Sequence, residues 1–61
     1  MMFLLTEKCK EKKCDLKLDF LHDEERFLLI VVDENGSYVY EEFGKELHVL
    51  TKEAVEKLEE L

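Results

Sequence analysis

Residues 27–32, Phe-Leu-Leu-Ile-Val-Val, form an unbroken apolar run that Asp33-Glu34-Asn35-Gly36 ends abruptly. Six residues make one strand and fall far short of the roughly 18 that a membrane span needs. Such a run makes a strand that is apolar on both faces, and both faces then need cover. Asn-Gly supplies the positive φ of a type I′ or bulged hairpin turn, so the chain is expected to fold straight back into a strand over 37–43.

Covering two faces is demanding for a chain of 61 residues. A chain of this mass hides on the order of 3,500 Å² of apolar surface on folding, worth roughly 90 kcal/mol at about 25 cal/mol per Å². Ordering costs about 1.5 kcal/mol per residue, which is again roughly 90 kcal/mol. Something beyond the single-chain core is expected to help, and a homodimer or higher oligomer is the simplest source.

Residues 14–20 alternate cleanly, with Cys14, Leu16, Leu18 and Phe20 on one side and Asp15, Lys17 and Asp19 on the other, which predicts a half-buried strand over 14–21. Residues 2–8 are expected to be a weaker strand, joined to it by the charged loop Lys10-Glu11-Lys12-Lys13. An antiparallel hairpin there sets Cys9 opposite Cys14, Leu5 opposite Leu18 and Phe3 opposite Phe20. In the strand over 37–43, period-2 alternation places Tyr38 and Tyr40 on one face. Residues 46–50 suggest a connector or a short fifth strand. Thr51 suits an N-cap, and Ala54, Val55, Leu58 and Leu61 form the apolar stripe of a helix over 52–60. The expected fold is α+β: one domain over 1–61, a four-stranded antiparallel meander with one C-terminal helix on one face.

With 41% charged and 46% hydrophobic residues, the chain is neither a disordered tail nor a membrane protein. No basic n-region or longer apolar h-region marks a secretory signal, so a cytoplasmic setting is expected. Twelve Glu and eight Lys against one Asn, one Ser and no Gln resemble the composition of hyperthermophile proteins. The net charge of −7 is polarised: residues 1–18 carry five Lys against three acids, whereas residues 19–61 carry thirteen acids against four bases. The overall sign argues against nucleic acid as a partner.

Cys9 and Cys14 admit three readings. They suit a disulfide across the hairpin mouth, two free thiols acting as small hydrophobes, or, joined by His22 and His48, a zinc site. A thioredoxin-like motif is excluded because it needs C-x-x-C. His22-Asp23-Glu24-Glu25 is a solvated turn, and the neighbouring Glu41 and Glu42 point to opposite faces of a strand, so neither assembles a catalytic acid–base pair. With no nucleophile–base pair and no phosphate-cradling loop, the chain is expected to be non-enzymatic and without a cofactor. The leading expectation is a self-associating interaction or structural module whose subunit contact is Phe27, Leu29, Val31, Tyr38 and Tyr40. The alternative is an acidic inhibitor or decoy that binds a basic, nucleic-acid-handling protein through Glu41, Glu42 and Glu46. A small zinc-binding module is the third.

Overall fold

A computed structural model describes residues 2–61 as α1 (Met2–Lys12), β1 (Asp15–Leu21), β2 (Arg26–Val32), β3 (Tyr38–Gly44) and α2 (Leu47–Glu59). The class is α+β, but the sheet has three antiparallel strands in the order β1-β2-β3, not four or five, and there are two helices.

The expected first strand over 2–8 is the helix α1. Met2, Leu5 and Cys9 recur at helical spacing, and Leu5 and Cys9 are the residues that α1 buries. Lys, Glu, Leu and Met dominate the segment, all good helix formers, and Glu7 pairs with Lys10 one turn on at 3.2 Å. Lys10 and Lys12 sit favourably at the negative end of the helix. The helix closes in a Schellman motif: Lys13 adopts a positive φ of 58°, Cys14 N–H donates to the Cys9 carbonyl at 2.9 Å, and Lys13 N–H donates to the Lys10 carbonyl. Cys9 and Cys14 are therefore close through a helix cap, where an apolar pair commonly accompanies the motif, and not through a hairpin register.

The helix expected over 52–60 begins five residues earlier, at Leu47, so residues 46–50 are neither a connector nor a fifth strand. Leu47, Leu50, Thr51, Ala54, Val55 and Leu58 continue one stripe at i, i+3, i+4, i+7, i+8 and i+11. Thr51 is not the N-cap. It is buried inside the helix, and its hydroxyl donates to the His48 carbonyl at 3.0 Å. Glu46 takes the cap position without a side-chain cap bond, its carboxylate lying 3.6 Å from His48.

Register fixes which residues share a face, because ladder partners point the same way. Leu16, Leu18 and Phe20 of β1 stand with Val31, Leu29 and Phe27 of β2, and with Tyr40, Glu42 and Gly44 of β3. Both helices lie on this inner face, where Leu29, Val31 and Tyr40 pack with Leu5, Cys9, Leu50, Ala54, Val55 and Leu58. Gly44 lets α2 come close: a Cβ there would lie 2.9 Å from Leu50 Cδ2. Lys8 of α1 reaches Glu59 of α2 at 3.8 Å, one ion pair between the basic start and the acidic remainder.

The β2–β3 turn is of the bulged kind. Gly36 has φ 85°, its N–H donates to the Asp33 carbonyl, and the Asp33 carboxylate accepts from the Asn35 and Ser37 amides. Register shifts between Val31, opposite Tyr40, and Val32, opposite Tyr38. Val39 is the extra residue of a β-bulge, so Tyr38 and Tyr40 do not share a face as simple alternation requires.

Lys13 holds a left-handed conformation that costs a non-glycine residue about 1 kcal/mol. Lys13→Gly is expected to raise the unfolding free energy by about 0.5–1 kcal/mol in urea denaturation. An unchanged or lowered value contradicts this cap.

Candidate functional site

The face of the sheet turned away from the helices has no covering element among the described residues. Along β2 it presents Leu28, Ile30 and Val32, each half-buried by its neighbours. Beside them stand the exposed Tyr38 and Phe43 of β3. Charged residues frame this apolar stripe, with Asp15, Lys17 and Asp19 on β1, Arg26 on β2 and Glu41 on β3. The Arg26 guanidinium lies over the Phe43 ring, 4.2 Å from its centroid, and pairs with Glu24, while its buried Nε has no hydrogen-bond partner among the described residues.

Of the five residues expected at a subunit contact, Leu29, Val31 and Tyr40 are buried under the helices of their own chain, and Phe27 packs against that core beside Phe20. Tyr38 alone, 61% exposed against 7% for Tyr40, stands on the outer face. The residues that sequence reasoning missed are Leu28, Ile30 and Val32. They lie in the same apolar run, in which no polar residue marks either face as the covered one.

A second feature is an open groove of about 600 Å³ between β3 and α2, lined by Val39, Tyr40, Glu41, Glu42, Glu53, Glu56, Lys57 and Glu60. Of the three acids expected to meet a partner, Glu41 and Glu42 line it and Glu46 lies outside, at the start of α2. β3 is an edge strand, so its outer main-chain groups adjoin the groove. Tyr40 forms the floor and donates its hydroxyl to Glu53 Oε1 at 2.7 Å. Burial, followed by this bond and the carboxylates of Glu53 and Glu42, pushes the Tyr40 phenol well above its usual range.

The cysteines are both free thiols, Cys9 buried and Cys14 partly so. Burial is the first cause that raises each of them, with nearby carboxylates adding to it. The four donors of the third reading do not converge. His22 lies in the β1–β2 turn, at the far end of a seven-residue strand from Cys14, a separation of roughly 20 Å. No group of three or more His, Cys, Asp or Glu is placed to hold a metal ion among the described residues. No described helix is long and apolar enough to cross a membrane. Compared with models of known families, with curated proteins and with solved structures, the chain matches none.

A phenol held above its unfolded value keeps its proton in the folded state, so its stabilising effect is complete below about pH 10 and is lost as pH rises further. Tyr40→Phe is expected to cost about 0.5–1.5 kcal/mol at pH 7 and to show a shallower alkaline loss of stability than the parent chain. Urea unfolding between pH 7 and 11 checks this. The raised cysteines act alike in both proteins, so equal alkaline slopes contradict the role given to Tyr40.

Proposed function

We propose that the chain is a non-enzymatic protein-interaction module that self-associates through the outer face of its sheet. One observation carries this: Leu28, Ile30 and Val32, with Phe43 and Tyr38, form an apolar stripe that neither helix covers. Contiguous apolar surface rimmed by charge is the ordinary mark of a contact site. The contact expected at Phe27, Leu29, Val31, Tyr38 and Tyr40 thereby moves to the opposite face and keeps only Tyr38.

A second reading, a docking site for a basic segment of another protein, is favoured by the groove between β3 and α2. Five of its lining residues are Glu and one is Lys. The like charge of Glu41 and Glu42 discourages edge pairing with another copy, whereas a lysine-bearing extended segment meets both the free edge and the carboxylates. Titration with a synthetic peptide of alternating Lys and Val is expected to shift the amide resonances of Val39–Glu42. Shifts confined to α2 contradict strand pairing.

Self-association is tested by sedimentation equilibrium of the parent chain and of Ile30→Glu. The parent is expected to form dimers at micromolar to submillimolar concentration and Ile30→Glu to remain a folded monomer by circular dichroism. A parent chain that stays monomeric to about 1 mM, a concentration at which only contacts weaker than roughly 4 kcal/mol escape detection, overturns the proposal.

A further inference from the structure

We infer that two copies pair outer face to outer face about a two-fold axis parallel to the strands, with Lys17 of each copy facing Glu41 of the other. This rests on the self-association proposed above and specifies its partner and orientation. Three rows cross the outer face in register: Asp15, Val32 and Tyr38; Lys17, Ile30 and Glu41; Asp19, Leu28 and Phe43. Packed sheets lie about 10 Å apart with strands aligned to within about 30°. An axis parallel to the strands lays β2 on β2 and β1 over β3 of the second copy while keeping the rows together. Val32, Ile30 and Leu28 then meet their own counterparts at the centre.

The flanks are complementary in the same superposition. Lys17 falls opposite Glu41, twice over because the contact is isologous. Asp15 falls opposite the Tyr38 phenol, a donor. Asp19 falls opposite Phe43, over whose ring the Arg26 guanidinium already leans with its Nε unpartnered among the described residues. Each of these three acids thus meets a donor. Turning the axis perpendicular to the strands instead sets Lys17 on Lys17, Glu41 on Glu41 and Asp15 on Asp19, so like charges face each other in four of the six flanking positions and Tyr38 meets Phe43 in the other two. A face that carries both signs in this arrangement suits a second copy better than a partner of uniform charge.

Three strands about 4.8 Å apart and seven residues long give a plan area on the order of 300 Å² per copy. That is small beside the roughly 800 Å² per partner of a standard interface, so the dimer is a reversible one. Lys17 and Glu41 are both exposed in the single chain, and reversing them leaves the core untouched.

The test is sedimentation equilibrium on the parent chain, Lys17→Glu, Glu41→Lys and the double reversal. Each single reversal places like charges together twice and is expected to weaken the dimer by about tenfold or more, and the double reversal to restore it to within about threefold of the parent. A dimeric parent whose single reversals bind normally, or whose double reversal fails to recover, overturns this orientation and leaves self-association standing. A monomeric parent overturns both.

Discussion

The structure hangs on β2, the strand that is apolar on both faces and central in the sheet. Its inner residues Leu29 and Val31 are completely buried, and they are where two helices from opposite ends of the chain meet. Everything else follows from covering that side: α2 approaches β3 closely because Gly44 offers no side chain, and α1 fills the remaining space with Leu5 and Cys9. The cost is that no third element is left for Leu28, Ile30 and Val32. A chain of this size has enough helix for one face of a two-sided strand, and the other face is the one on which the proposed self-association rests.

Which parts of the fold were legible in the sequence depends on whether a local signal had competition. The strand over 14–21, the apolar run and the Asn-Gly turn each carry one unambiguous pattern, and all three stand where expected. The start of the chain carries two. Phe3, Leu4 and Leu5 in succession give residues 2–8 apolar character all round, and Cys9-x4-Cys14 fits a hairpin register as readily as the C3 and C″ positions of a helix cap. The second pattern prevails because Met2, Leu5 and Cys9 make a helical stripe and because a lysine accepts the left-handed conformation at the cap. At the other end, Leu47 and Leu50 begin the α2 stripe, which Thr51 as a supposed cap concealed.

The candidate site was half legible. Composition and the shortage of covering elements raise the expectation of assembly, and of the five residues expected at a contact only Tyr38 stands on the uncovered face. The other four lie on the helix-covered face, for two physical reasons. A run of six apolar residues holds no polar marker to say which alternate set faces the helices, and the bulge at Val39 separates Tyr38 from Tyr40 where strict alternation joins them. Charge polarity between the two halves of the chain, by contrast, shows within the molecule as one ion pair between α1 and α2, Lys8 with Glu59.

The most direct measurement is an isotope-filtered nuclear Overhauser experiment on a mixture of labelled and unlabelled chains, read at the methyl groups of Leu28, Ile30 and Val32. Intermolecular contacts are expected from Ile30 to Ile30 and from Leu28 to Leu28 across the two-fold axis, and none from Leu29 or Val31. Intermolecular contacts confined to residues outside β2 and β3, in a chain that is dimeric at the concentration used, would contradict this pairing.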